Sequence, residues 1–107
     1  MKKIFAANWK LFKTPQETRE FFSALLPRVG EASGELVIFP STICLEAASD
    51  SLKNSSVFWG AQNCYSKTQG AFTGETSAQV VKDLGGKYIL LGHSERRSLF
   101  GESDTLI

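Results

Sequence analysis

Ile4-Phe5-Ala6-Ala7-Asn8-Trp9, followed within a few residues by Thr14-Pro15-Gln16-Glu17, decides how this chain is read. The first run is short and nearly all apolar, the pattern of a strand covered on both faces. The second is a helix start. Thr14 can cap, Pro15 suits the first helical position, and Glu17, three residues after the cap, completes a capping box. Phe21, Phe22, Leu25 and Leu26 then share one helical face, and Pro27 ends or kinks the helix. A doubly covered strand leading into a helix is a β/α unit.

Three more units follow the first. Leu36-Val37-Ile38-Phe39, closed by Pro40, predicts a second strand, and a helix from Ser41 or Thr42 carries Leu45, Ala48 and Leu52 on one side. Val57-Phe58-Trp59-Gly60-Ala61-Gln62 predicts a third strand, weakened by Gly60. Tyr65 to Glu75, rich in Gly, Thr and Ser, predicts a long loop. Thr76-Ser77-Ala78-Gln79 then reads as a second capping box, leading into Val80, Val81 and Leu84 and stopping at Gly85-Gly86. Tyr88-Ile89-Leu90-Leu91 is the fourth strand, left through Gly92-His93-Ser94. Strands starting near 4, 36, 57 and 88, each with a helix behind it, imply an α/β chain of parallel units. Periodicity alone leaves two architectures open, a small doubly wound sheet or half of an eight-stranded barrel. Gly101-Glu102-Ser103-Asp104 reads as another helix start capped by Ser103. So short a stub before Ile107 is unstable alone, so the C-terminus is expected to be a cut.

Composition narrows the function classes. The chain has 107 residues, 42% hydrophobic and 21% charged, enough for one core-bearing domain and unlike a disordered segment. Twelve basic against eleven acidic residues give a net charge of +1, which argues against broad attachment to nucleic acid or an anionic membrane. Met1-Lys2-Lys3 resembles the charged start of a signal peptide, but the apolar run Ile4 to Ala7 is too short for its core. No run approaches the ~20 apolar residues of a membrane span. Cys44 and Cys64 are isolated and are expected to be buried free thiols in a reducing cytoplasm. His93 is the single histidine, so a zinc site would have to combine it with both cysteines and a carboxylate; no metal is expected.

In parallel β/α folds ligands meet the carboxyl ends of the strands, which directs attention to two places. Strand one ends in Asn8-Trp9-Lys10, where a lysine can neutralise a phosphate or polarise a carbonyl oxygen. Strand four ends in Gly92-His93-Ser94-Glu95-Arg96-Arg97. A histidine beside a helix start feels the positive end of the dipole, which favours the neutral imidazole, able to donate to a carbonyl or enediolate oxygen. Each residue has an ordinary alternative, an exposed loop lysine or a capping histidine. The site rests on Asn8, Lys10 and His93 falling at one end of the strands. Other chemistries have less support. There is no G-x-G-x-x-G or Walker-type loop, and Gly70 to Gly74 reads as a surface loop. Ser94 and His93 lack an orienting acid, and Trp9 and Trp59 read as packing residues.

Together these motifs resemble one family, triosephosphate isomerase. Asn8-Trp9-Lys10 is similar to its first-strand motif. Gly60-Ala61-Gln62-Asn63 and Gly70-Ala71-Phe72-Thr73-Gly74-Glu75 are similar to the end of its third strand and the loop beyond. Lys82-Asp83-Leu84-Gly85, Leu91-Gly92-His93-Ser94-Glu95-Arg96-Arg97 and Gly101-Glu102-Ser103-Asp104 resemble its fourth unit. The likeness runs in order through essentially the whole chain.

The resemblance implies four of the eight units of a TIM barrel over residues 1–107, a half barrel truncated after the start of the fourth helix. It also implies interconversion of dihydroxyacetone phosphate and glyceraldehyde 3-phosphate through an enediolate, with no cofactor and no metal. This family is itself the standard case in which a glutamate base moves the proton while a neutral histidine polarises the carbonyl. Carried over, His93 is that electrophile, Lys10 stabilises the substrate phosphate and the developing charge, and Asn8 orients the substrate. Ser94 would hydrogen-bond the resting base, and Glu95 would sit near the lysine. Thr73 would buttress Asn8 and Lys10 of a neighbouring subunit, with Glu75 and Arg96 as an intersubunit ion pair, so the full-length parent is expected to be a cytoplasmic homodimer. Leu11-Phe12 departs from the family's usual Met-Asn. The half carrying the base, the lid and the later phosphate loops is missing, so the 107 residues alone are expected to be inactive and either to self-associate or to pair with a C-terminal half. Neither nucleic acid nor membrane is an expected partner.

Overall fold

A computed structural model describes residues 3–30 and 34–107. Met1 and Lys2, the start of the signal-like charge pattern, lie outside the described residues. Four strands, β1 (Lys3–Asn8), β2 (Gly34–Phe39), β3 (Val57–Ala61) and β4 (Tyr88–Ile89), alternate with helices α1 (Pro15–Leu25), α2 (Leu45–Leu52), α3 (Ala78–Asp83) and α4 (Ser94–Phe100). The α1 start follows from its residues. The Thr14 hydroxyl accepts from the Glu17 N–H at 3.1 Å, and the Glu17 carboxylate accepts from the Thr14 N–H at 3.0 Å, the full capping box.

The sheet order is β1-β2-β3-β4 and every described pairing is parallel. Each crossover therefore steps to the next strand in the same direction, and right-handed crossovers that never reverse leave all their helices on one face. The core confirms this. Phe22 of α1, Leu45, Ala48 and Leu52 of α2, and Val81 of α3 pack with Ile38, Val57, Trp59 and Ala61. Ile38 is registered with Trp59, and alternate residues point to one side, so all these strand residues share a face. A doubly wound sheet needs a reversal and helices on both faces. The chain instead forms a curled half barrel of four parallel strands alternating with helices.

The opposite, concave face carries Glu35, Val37 and Phe39 of β2, all buried, with Phe58, Gly60 and Tyr88 beside them. Gly60 is required here: a Cβ would lie 2.2 Å from the Tyr88 carbonyl oxygen and 2.8 Å from Phe39 Cε1. Trp9 stacks on Phe22 at 5.4 Å and meets Phe21 edge-on at 5.1 Å, tying the end of β1 to α1.

Several local expectations change. The cap of α3 is Ser77, whose hydroxyl accepts from the Val80 N–H, while Gln79 pairs with Asp83 one turn on, so the box starting at Thr76 does not form. Only Val81 of the expected α3 triplet is buried, because a six-residue helix turns Val80 outward and Leu84 lies beyond its end. The second helix opens with a 3₁₀ turn, Thr42–Cys44, and becomes regular at Leu45. The ladder of β4 ends at Ile89, two residues before the expected Leu91, although the Leu90 N–H still donates to the Ala61 carbonyl at 2.8 Å. α4 closes at Gly101 in the left-handed region (φ 68°), and Ser103 caps only a single turn, its hydroxyl accepting from the Leu106 N–H at 3.3 Å.

Candidate functional site

Polar side chains gather where the strands end. Lys10 leaves β1 with φ 55°, a left-handed conformation costly for a residue with a Cβ. Two side chains hold it there. The Asn8 Oδ1 accepts from the Lys10 N–H at 2.9 Å, and the Gln62 Nε2 donates to the Lys10 carbonyl at 2.8 Å. The same Gln62 amide donates to the Phe39 carbonyl at 2.8 Å, which also accepts from the Trp9 N–H at 3.1 Å. One side chain after β3 thus ties together the ends of β1 and β2. Its place behind a strand was visible in the sequence, but its two acceptors are backbone carbonyls that no motif announces.

His93 is the N-cap of α4, and its Nδ1 accepts from the Glu95 N–H at 3.1 Å. An Nδ1 used as an acceptor carries no proton, so the neutral ring holds its proton on Nε2 and can donate from there. The Glu95 carboxylate approaches Nδ1 at 3.8 Å, an ion pair only for a doubly protonated ring, and that ring could not accept the Glu95 N–H. The backbone bond is the shorter contact and defines the arrangement.

Glu95 joins the two halves of the site. Its Oε1 lies 2.7 Å from Lys10 Nζ, so the loop behind β1 and the first turn of α4 meet over the concave face. The ammonium bonded to it holds the Glu95 carboxyl below the usual carboxylate range, against a smaller opposing effect of desolvation, with charge attraction from Lys10 adding to the lowering. Both partners are about half exposed, so the pair positions Lys10 more than it stabilises the fold.

The structure brings Asn8, Lys10, His93 and Glu95 together, and Ser94 opens α4 beside them with an exposed side chain. It does not bring in the other three. Thr73 and Glu75 lie exposed in the loop before α3. Arg96 pairs within the chain with Glu102 at 2.9 Å and lies over the Phe100 ring at 5.0 Å. Arg97 donates to the Gly92 carbonyl at 2.8 Å and pairs with Asp104 at 2.5 Å, fastening the segment after α4 to the loop that carries His93.

Among the described residues no group of three or more His, Cys, Asp or Glu side chains is placed to hold a metal ion, and no helix is long and apolar enough to cross a membrane. Cys44 and Cys64 are free thiols; Cys44 is buried as expected, whereas Cys64, in the loop after β3, is only partly buried, and desolvation pushes its thiol above its ordinary value.

Comparison with known proteins extends the geometry. The triosephosphate isomerase family profile matches residues 3–107. The chain is 69% identical over 107 residues to a triosephosphate isomerase of Bdellovibrio bacteriovorus, covering all of this chain and 44% of that protein. It is 50% identical over 105 residues to one of Symbiobacterium thermophilum, covering 97% of this chain and 41% of the relative. With one of Aquifex aeolicus it shares 44% identity over 108 residues, again 44% of the relative's length. The chain therefore spans less than half the length of the curated relatives it matches.

Proposed function

The chain belongs to the triosephosphate isomerase family, and on that premise we propose that it supplies the oxyanion-stabilising side of an isomerase site acting on a phosphorylated triose. The observation that carries this is the Glu95 N–H bond to His93 Nδ1, which commits the ring to donating from Nε2. In the reaction a base outside these four units removes a carbon-bound proton, and His93 donates to the oxygen on which negative charge develops. Lys10 is the cation of the site. Its ammonium neutralises charge on phosphate and enediolate, and Asn8 and Gln62 fix the backbone from which it extends. Glu95 holds the ammonium in place in the absence of substrate. Asn8, adjacent to both, orients the substrate, and Ser94 is the hydroxyl available to the resting base. No step requires a cofactor.

A proton transfer at carbon needs a base within hydrogen-bond reach and protection of the enediolate from water. Neither Glu95, engaged by Lys10, nor Glu102, engaged by Arg96, is free for that role. The 107-residue chain alone is therefore proposed to bind triose phosphate without turning it over. The test is a titration of the ¹⁵N-labelled chain with dihydroxyacetone phosphate beside a coupled isomerase assay. Shifts centred on Lys10, His93 and Glu95, abolished by Lys10→Ala, with no turnover, are expected. Turnover comparable to a full-length enzyme and surviving Lys10→Ala would overturn the proposal.

A second reading concerns assembly. Among the described residues β1 and β4 each have a neighbour on one side only, and Ile4 and Phe5 of β1 are more than half exposed. Open edges with apolar side chains favour pairing, with a second copy or with the complementary half of the barrel. In a full-length protein, Thr73, Glu75 and Arg96 are proposed to contribute to a homodimer interface, and the compartment is proposed to be the cytoplasm. Sedimentation of the chain over a range of concentrations tests the edge pairing; a monomer throughout would exclude self-association.

A further inference from the structure

At the end of the strands opposite the site, a buried carboxylate reaches across the concave face. Glu35 of β2 is 7% exposed and accepts from Lys87 Nζ at 3.1 Å and from the Tyr88 hydroxyl. Both donors belong to β4 or its first flank, so the contact passes over β3, and the Lys87 ammonium rests on the Phe58 ring of β3 at 3.9 Å. β4 is the strand that delivers His93, and it is the one least secured by its own backbone. Its ladder registers Gly60 with Tyr88 and Ala61 with Ile89, flanked by the Lys87 N–H to Trp59 carbonyl bond at 2.9 Å and the Leu90 N–H to Ala61 carbonyl bond at 2.8 Å. A ladder that short specifies register weakly, and a slip by one residue would turn each side chain of β4 to the other face. Gly60, opposite Tyr88, adds no side chain that could oppose such a slip.

We propose that Glu35 and Tyr88 are positioning residues for His93, a polar pin that fixes the register and facing of β4 so that the loop after it presents His93 and Glu95 correctly. This rests on His93 being the donor to the substrate oxygen, but the pin itself is read without any substrate. Tyr88 reaches Glu35 only when it faces the concave side, so the slipped register forfeits a hydrogen bond to a charged, buried acceptor that the native register makes. The Glu35 carboxylate also keeps the phenol protonated, raising its pKa from the ordinary phenol value chiefly by accepting its hydrogen bond, so Tyr88 remains the donor.

The test uses the ¹⁵N-labelled 107-residue chain and reads the two imidazole nitrogens of His93 and the exchange rate of the Glu95 amide. In the parent chain Nδ1 is the unprotonated acceptor, and the Glu95 amide is protected. Tyr88→Phe, which deletes one oxygen, and Glu35→Leu are expected to mix the two tautomers, drawing the nitrogen shifts together, and to lower Glu95 amide protection about fivefold to tenfold. Glu35→Gln keeps an acceptor for the phenol and is expected to restore the parent signature. Unchanged His93 nitrogens and Glu95 protection in Tyr88→Phe would overturn the proposal, whatever happens to the melting temperature. So would a Glu35→Gln variant as perturbed as Glu35→Leu. Failure of triose phosphate binding would sink the functional reading and leave these signals standing.

Discussion

Gln62→Met removes an amide that donates to two carbonyls, each at 2.8 Å, while nearly conserving volume, and its cost can be worked from what each acceptor keeps. The Phe39 carbonyl retains the Trp9 N–H at 3.1 Å, so it is not orphaned. The Lys10 carbonyl belongs to an exposed residue and returns to water. Neither loss reaches the full penalty of a buried unpaired group, so two bonds at about 0.5–1.5 kcal/mol each give a gross cost of about 1–3 kcal/mol. Lys10 sits at φ 55°, a region that costs a residue with a Cβ about 1 kcal/mol or more. Without Gln62 the loop can relax and recover that strain, leaving a net loss of about 1 kcal/mol. For a chain of this size that is roughly 4–8 °C in melting temperature. Lys10→Gly separates the two contributions. In the parent background it relieves the left-handed strain and is expected to stabilise by about 1 kcal/mol, since its half-exposed ion pair with Glu95 contributes little. In the Gln62→Met background the strain has already relaxed, and the same change is expected to be near neutral. Thermal and urea unfolding of the four variants measures the coupling, expected at about 1 kcal/mol. Additive effects, or a Gln62→Met chain as stable as the parent, would refute the idea that Gln62 holds Lys10 in its conformation.

Three further outcomes are expected. Lys10 lowers the folded-state pKa of Glu95, so the stability linked to that group is fully present above the ordinary value of 4.5 and lost as pH falls through the lower folded value; a carbon-13 titration of the Glu95 carboxyl should show the lowering, and Lys10→Met should abolish it. Phe22→Ala empties a fully buried site that stacks on Trp9, and should cost about 3–5 kcal/mol by urea unfolding, enough to unfold most of a marginal domain. Gly60→Ala drives a methyl group against the Tyr88 carbonyl, a backbone atom that cannot step aside. It should cost about 3 kcal/mol or more and erase the amide protection of Leu90, whereas a loss below about 1 kcal/mol would show that β4 lies farther from β3 than described.

The backbone elements were legible because their signals are local. The capping box at Thr14 and Glu17 is satisfied by neighbours in sequence, and the apolar runs form β1, β2 and β3 where those residues place them. β1, however, is not covered on both faces as expected, since as an edge strand among the described residues it leaves Ile4 and Phe5 more than half exposed. The choice between a doubly wound sheet and a half barrel was not local. It depends on whether the third and fourth strands continue past the second in one direction, which no periodicity encodes, and only the motif resemblance anticipated it. The α3 cap shows the limit on a smaller scale. Thr76 and Ser77 offer the same hydroxyl chemistry one residue apart, and the bond went to Ser77 while Thr76 lies near the Thr42 hydroxyl, at 3.5 Å, a partner 34 positions away in sequence. The site divides in the same way. Asn8, Lys10 and His93 were identifiable as polar residues at strand ends. The Gln62 tie and the Glu35–Tyr88 contact join residues of different units, and their acceptors on the far element leave no mark in the donor's own neighbourhood.

What the fold adds to these residues is a division of labour between the two faces of one sheet. The convex face is given to stability: Ile38, Val57, Trp59 and Ala61 meet three helices there, and the register that buries them is fixed by apolar fit. The concave face has no helix to pack against among the described residues, so polar contacts specify what apolar fit does not. Lys10 with Glu95 at the carboxyl end, and Glu35 with Lys87 and Tyr88 at the amino end, each join strands that do not share a ladder. Two such links at opposite ends of β4 constrain both its position along the sheet and the side to which its residues face. A helix-side mutation such as Phe22→Ala should therefore lower stability while leaving the His93 signature intact in the folded molecules that remain. Loss of a concave polar contact, as in Tyr88→Phe, should change the His93 tautomer signal at a smaller cost in stability than Phe22→Ala. If the two classes of mutation moved both observables together, the faces would not be separable and the concave contacts would be ordinary packing.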